Sequence, residues 1–516
     1  MKKKKIDNSS RTENVIKNSS FGAVGKVLSL ILDFICRTVF IKCLTEEYLG
    51  LNGLFSNILT ILSFAELGIG EAIVFNMYKP IEKKDHDKIN QLMRFYKKCY
   101  LVIGIIIFII GVSVIPFLKY IIKEVPDIKE SISLIYLLYL TNSSLTYFFA
   151  SRKSIISAHQ QRYIISKYEI FYTFIFTILK IIALLCFKNY ILYLVLQILK
   201  ELSINITVHI KAKKMYSYLD EKNSESLPKE ESKTIFTNVK SLFLYKLSSV
   251  VLSGTDNIII SKFIGLVQVG IVSNYQLLTS AISQVLHNFI LGFTASIGNL
   301  NAKSDKEHEE KVFYEILQIM AWIYGYVAIM LVIFLNPFVE CWIGKEYLLS
   351  LPIVFALVFD IYINGVQYSG YNYVTTLGLF KKAKYGPLFA AIINIVLSIA
   401  LMPKFGLFGI FIATIISRVL TTSWLDPYLV HKYEFKTSFF KYIKKYLYYL
   451  IVVIINLLVC YNIFKLINMN NIINIILYAI LCTILSNIIF VLFFFKTKEF
   501  NNLKDRFKVL ILKYKK

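Results

Sequence analysis

The strongest constraint on this chain is where its basic residues fall. About fourteen apolar runs cross the sequence, and lysine and arginine gather in every second gap between them. One gap reads KPIEKKDHDKINQLMRFYKK (Lys79–Lys98), whereas the one before it, KCLTEEYLGLNG (Lys42–Gly53), holds a single lysine. Basic loops stay on the cytoplasmic side, so the alternation sets the number of crossings and their direction. Segments assigned to the cytoplasm hold 42 of the 58 Lys and Arg, exterior segments hold 9, and 7 lie within the apolar runs. Both termini are expected in the cytoplasm.

The expected spans are roughly 20–41, 51–77, 99–118, 131–150, 169–187, 190–210, 240–261, 267–298, 313–335, 350–376, 387–402, 407–426, 447–464 and 472–495. Helices are required, because backbone facing lipid must satisfy its own hydrogen bonds. A chain of 516 residues that is 56% hydrophobic has no soluble core large enough to hide that surface. The net charge of +25 would suit nucleic acid, but it is spread along one membrane face, where anionic lipid headgroups hold it. The basic N-terminus precedes a long apolar segment without a small-residue cleavage site, which reads as a retained span. The seven cysteines show no ligand-like spacing, so neither a metal site nor a disulfide framework is expected.

These features divide the chain into a basic N-terminus (1–19), a six-helix lobe (20–210) and a cytoplasmic linker (211–237). A second six-helix lobe (238–430), a basic amphipathic segment (431–446), two further helices (447–495) and a basic tail (496–516) follow. At an offset of 220 residues the second half matches the first: Lys42 pairs with Lys262, Gly50 with Gly270, Leu51 with Ile271 and Phe55 with Tyr275. Six spans per half make the halves parallel repeats, an architecture of alternating-access transporters. The expected fold is therefore an all-α polytopic membrane protein of about 14 transmembrane helices, with two pseudo-symmetric six-helix lobes around a central cleft plus two C-terminal helices.

Charge inside a bilayer is costly, on the order of 3 kcal/mol or more per group at the centre, and it marks function. In the first span Lys26, Asp33 and Arg37 stand at i, i+7 and i+11, one face of a helix. That face either lines a hydrated cavity or is locked by an Asp33–Arg37 pair at i,i+4, which leaves Lys26 unexplained. The seventh span repeats the pattern with Lys246, Ser249, Ser253, Asp256 and Asn257; Asp256 suits either a cavity or a bond between helices. Glu66 and Glu71 lie among small residues in the second span, as ion-coupling carboxylates or interhelical ties. Asp360 leads a polar strip with Asn364, Gln367 and Tyr368, and Arg418 is expected to face inward. Lys200 and Glu201 read as an adjacent neutralised pair, Lys180 as a snorkelling lysine, and His287 as a hydrogen-bonded core residue. A cleft with this balance attracts anions. No phosphate loop, HExxH or nucleophile elbow occurs, so no catalytic residue, metal or cofactor is expected, with coupling to an H+ or Na+ gradient left open.

The stretch RTVFIKCLTEEYLGLNGLFSNILTILSFAELGIGEAIVFNMYKP (Arg37–Pro80), followed by a basic loop, resembles the Wzx-type polysaccharide flippases, as does SGTDNIIISKFIGLVQVGIVSNY (Ser253–Tyr275). That family belongs to the superfamily that also holds MATE multidrug antiporters and lipid II flippases. The resemblance implies movement of undecaprenyl-diphosphate-linked oligosaccharide across the bacterial plasma membrane, with polymerase and glycosyltransferases as partners. Lys26, Arg37 and Lys246 would meet the diphosphate; Asp33, Asp256, Asn257, Asp360 and Arg418 would line the cavity; Glu66, Glu71 or Asp256 would couple ions. A MATE-type exporter favours organic cations, which a positive cavity opposes. A lipid II flippase shares the anionic substrate. A membrane-embedded glycosyltransferase or polymerase needs a catalytic carboxylate near a large exterior loop, and the exterior loops here are short.

Overall fold

A computed structural model of the chain describes residues 11–63, 69–219, 225–237, 254–301, 305–383, 385–465, 467 and 471–514, all helix, turn or irregular among them and none in a strand. Nine helices among the described residues are long and apolar enough to cross a membrane. The chain is a multi-pass, all-helical membrane protein. It divides into two compact units, Met1–Gly270 and Ile271–Lys516.

The first unit holds α1 (Arg11–Cys43), α2 (Glu46–Leu62), α3 (Ile69–Lys83), α4 (His86–Val114), α5 (Leu118–Ile121), α6 (Ile132–Ala158), α7 (Tyr163–Phe187), α8 (Tyr190–Met215) and α9 (Asp256–Phe263). The 25 residues of α7 reach about 37 Å, enough to cross a hydrocarbon core of about 30 Å. Polar residues cap the entries: the Lys88 amide donates to the Asp85 carboxylate at the start of α4, and the Leu192 amide to Asn189 at the start of α8, both at 2.9 Å. The expected second span takes in residues of α2 and α3, and residues 64–68 lie outside the described set.

α1 lies along α7, and α6 packs on α4 and α8. Leu51, Leu54 and Phe55 of α2 are fully buried, with the Phe55 ring edge-on to Tyr136 at 5.2 Å. The two glycines that the repeat pairs meet each other. A methyl group placed on Gly50 would lie 2.1 Å from the Leu266 carbonyl oxygen, and one on Gly270 3.0 Å from that of Glu46. Only glycine allows main chain to approach main chain so closely. The unit closes near α5, where the Lys123 amide donates to the Ser261 carbonyl at 3.3 Å and the Ser261 hydroxyl to that of Ile121 at 3.2 Å.

α10 (Leu266–Asn301) starts in the first unit and continues into the second. The second unit adds α11 (Lys306–Ile343), α12 (Leu351–Thr376), α13 (Phe380–Ala383), α14 (Gly386–Leu420), α15 (Thr422–Val430), α16 (Phe439–Phe464), α17 (Ile472–Phe494) and α18 (Lys498–Tyr514). α16 runs without a break across residue 446, so the aromatic and basic residues from Phe439 onward form the first turns of that helix. α14 is a hairpin rather than a rod. Gly406 has φ 56 and ψ −137, and the Asn394 amide donates to the Thr414 hydroxyl at 2.9 Å. Those residues would stand about 30 Å apart in a straight helix. The turn separates the two spans expected at 387–402 and 407–426. α18 is tied to α11 by an Arg506–Glu315 ion pair at 3.1 Å and by Phe500 stacked on Trp322 at 6.0 Å.

Candidate functional site

The polar face of α1 is met by α7 and α8 of its own unit. Asp33 lies within electrostatic reach of Lys180, Lys200 and Lys26, in that order. Lys180 is only 7% exposed, and its ammonium lies over the Tyr193 ring at 4.8 Å. It does not snorkel: a ring face and a carboxylate replace its water, an exchange that suits an ammonium inside a bundle. Lys200 pairs with Glu201 at 3.2 Å, as the adjacent positions suggest. Asp33 therefore answers the lysines of the neighbouring helices.

Arg37 turns instead toward a cage of tyrosines. Tyr193, Tyr139 and Tyr190 lie within its electrostatic reach. The Tyr139 and Tyr190 hydroxyls share a hydrogen bond at 2.9 Å, the Tyr190 and Tyr193 rings stack at 6.0 Å, and Phe40 stands edge-on to both. This packing fixes the rings, so the guanidinium stands near preorganised tyrosine hydroxyls. Lys26, Arg37, Lys180 and Lys200 stand against Asp33 and Glu201, leaving a net positive, partly buried group among α1, α7 and α8 of the first unit. Such a group can hold a phosphate-bearing ligand, because low-dielectric surroundings screen its field weakly.

The second unit builds a polar ladder. Asp360, Asn364 and Gln367 line one face of α12; Arg418, Thr422 and Asp426 recur at every fourth residue through the end of α14 and α15. Arg418 Nε meets Asp360 Oδ1 at 2.6 Å and an Arg418 terminal nitrogen donates to Asn364 at 3.3 Å. The Thr422 hydroxyl donates to Gln367 Oε1 at 3.2 Å, and Gln367 also bonds the Asp426 carboxylate. Gly370 closes the ladder against Pro427. His287 is exposed with its ring 5.5 Å from Tyr368, not a core residue.

Of the residues expected to form the site, Lys26, Asp33 and Arg37 are brought together in the first unit, and Asp360 and Arg418 in the second. Asp256 and Asn257 are buried at the start of α9. Lys246 and Glu66 lie outside the described residues, and for Glu71 only the helical backbone of α3 is described. Sequence reasoning missed the central part of Lys180, the tyrosine cage and Asp426. A signal existed for α8: Tyr190, Tyr193, Gln197 and Lys200 stand at i, i+3, i+7 and i+10, one helical face. Among the described residues no cluster of His, Cys, Asp and Glu suits a metal ion.

A multi-pass helical bundle with charge gathered among its helices defines a polytopic membrane protein with a polar interior. Solved structures share the fold. A lipid II flippase, MurJ, in an inward closed conformation matches over 92% of this chain and 99% of its own, with 15% identity and a TM-score of 0.65. An inward-facing multidrug resistance MATE family transporter of the MOP superfamily matches over 79% and 95%, with 14% identity and a TM-score of 0.60. A MOP superfamily transporter from Pyrococcus furiosus matches over 85% and 100%, with 10% identity and a TM-score of 0.53. No curated protein matches the chain. The model of a family described as polysaccharide biosynthesis protein matches residues 15–293, more than half of the sequence. The chain belongs to that family.

Proposed function

We propose that this protein flips undecaprenyl-diphosphate-linked oligosaccharide repeat units across the bacterial plasma membrane, both termini facing the cytoplasm. The observation that carries the reading is the positive group of buried Lys180 and half-buried Arg37, Lys200 and Lys26 in a member of a polysaccharide biosynthesis family. A diphosphate brings negative charge that several positioned cations can share, and Arg37 offers the planar fork suited to phosphate oxygens. Asp33 stands among the lysines and offsets part of their charge. Lys246, Asp256 and Asn257 belong to the same proposal from the seventh span.

The test is made in cells whose own repeat-unit flippase is deleted and whose surface polysaccharide this protein restores. Arg37→Gln, Lys180→Met and Lys246→Gln should each lower restored polysaccharide at equal membrane abundance. The Arg37→Gln, Lys180→Met double variant should abolish it. Full restoration by that double variant would overturn the reading. A second reading, a lipid II flippase, draws support from the likeness to MurJ along nearly the whole chain. Growth of cells depleted of their lipid II flippase, restored by this protein, would favour it.

A further inference from the structure

The ladder of the second unit ends on a carboxylate with an unusual setting. Asp426 is 5% exposed. Among the described residues no lysine, arginine or histidine stands at ion-pairing distance from it, and its hydrogen-bond partner is the Gln367 amide. Gln367 is itself held, since its Oε1 accepts from Thr422 at 3.2 Å. The other carboxylate of the ladder, Asp360, has Arg418 at 2.6 Å. An ionised Asp426 would have given up its water for one neutral amide, an arrangement that membrane interiors reserve for groups with a task.

The segment that carries Asp426 has breaks on both sides. Thr421, just before α15, leaves helical geometry at φ −128 and ψ −81; His431–Phe435, just after it, is a turn of π-helix; and Pro427 lies inside. Such irregularities mark hinges and functional positions in helices. A nine-residue segment between two breaks can shift without unravelling the long helices around it.

We infer that Asp426 is a proton-loading site: its carboxylate takes up one proton to become the neutral acid and releases it when α15 moves. Loading removes one negative charge and turns one carboxylate oxygen from acceptor into donor, so the Gln367–Thr422 contacts rearrange. Among the described residues, Tyr442 on α16 lies within its electrostatic reach, and the Asp360–Arg418 pair stands two helical turns back along the ladder. Lys382, on the α13 segment packed against α15, has its ammonium over the Tyr433 ring at 3.1 Å. His431 is bonded at both ring nitrogens, to the Pro427 carbonyl at 2.7 Å and the Tyr314 hydroxyl at 2.8 Å. None of these is the acid's counter-ion. The inference depends on the transporter reading for its purpose and on the ladder for its chemistry.

Dicyclohexylcarbodiimide adds to protonated carboxyl groups in apolar surroundings and leaves a stable N-acylurea. The full-length protein in lipid nanodiscs is treated with it at about pH 6 and about pH 9, and the adduct is located by peptide mass spectrometry. We expect labelling of Asp426 that slows at least about tenfold at the higher pH, as the protonated fraction falls. Asp426→Asn should remove that adduct while labelling elsewhere persists, and should flatten the pH profile of flipping, with Asp426→Glu restoring the profile. Absence of label on Asp426 at the lower pH, or equal labelling at both, would overturn the inference. Labelling needs no substrate, so it stands or falls separately from the identity of the transported lipid.

Discussion

Replacing Gly50 by alanine tests the contact that joins the start of α2 to the start of α10. The added methyl would sit 2.1 Å from the Leu266 carbonyl oxygen, where ordinary contact begins at 3.4 Å. The obstacle is main chain, which has no rotamer to escape into, so one helix must slide by more than an ångström. Overpacking of that kind costs about 2–3 kcal/mol, at the upper end of the usual range. At Gly270 the nearest atoms are 3.0 and 3.2 Å away, and the cost should be near 1 kcal/mol. Gly22 of α1 has nothing within 4 Å, so alanine there should gain roughly 0.5–1 kcal/mol of helix stability. Unfolding of the purified protein, followed at one heating rate with a dye that reacts with the buried Cys36, Cys460 and Cys482 as they emerge, reads all three. We expect Gly50→Ala to lower the unfolding temperature by roughly 2–5 °C, Gly270→Ala by less, and Gly22→Ala to raise it. Because both glycines serve one contact, the Gly50→Ala, Gly270→Ala double variant should lose less than the sum. Wild-type stability in Gly50→Ala, or an equal loss in Gly22→Ala, would refute the packing argument.

Two further outcomes follow from charge and burial. Arg418→Met should destabilise the second unit by about 1–3 kcal/mol, because it strands a partly buried Asp360, whereas the Asp360→Leu, Arg418→Met double variant should recover most of the loss in the same unfolding measurement. His159 hydrogen-bonds the Ile155 carbonyl at 2.9 Å, and burial holds its ring below the ordinary 6.5. The unfolded chain therefore binds a proton that the folded chain refuses, so stability should fall as pH drops below 6.5 and His159→Gln should flatten that slope.

Much of the fold is legible because a bilayer leaves the chain few choices. Lipid demands helices, and the alternation of basic loops orders them, so the helical fold of the polytopic chain emerges without any packing detail. The stripe on α1 is legible for the same reason: Lys26, Asp33 and Arg37 break an apolar run at helical spacing. What each charge touches is not legible. Lys180 reads as a snorkelling lysine until α8 brings Tyr193 beneath its ammonium. Arg37 reads as a cavity charge or as the partner of Asp33, and its spacing gives no sign of the three tyrosines that α6 and α8 bring near it. Asp426 sits beside Pro427 at the edge of an expected span, where a polar residue suggests a loop, and only the α12 register places Gln367 against it. Intervals along one helix report its faces; which faces meet depends on how helices pack.

The positive group of the first unit is assembled by α1, α7 and α8, all within one compact body. A binding group with that origin is neither built nor dismantled when another part of the molecule moves. If its affinity for the lipid headgroup is the same in every state, it cannot by itself favour any state, since a ligand shifts an equilibrium only by the difference in its affinities. Holding the cargo and choosing the direction of travel are then separate tasks, and they can be inherited, lost or retuned independently.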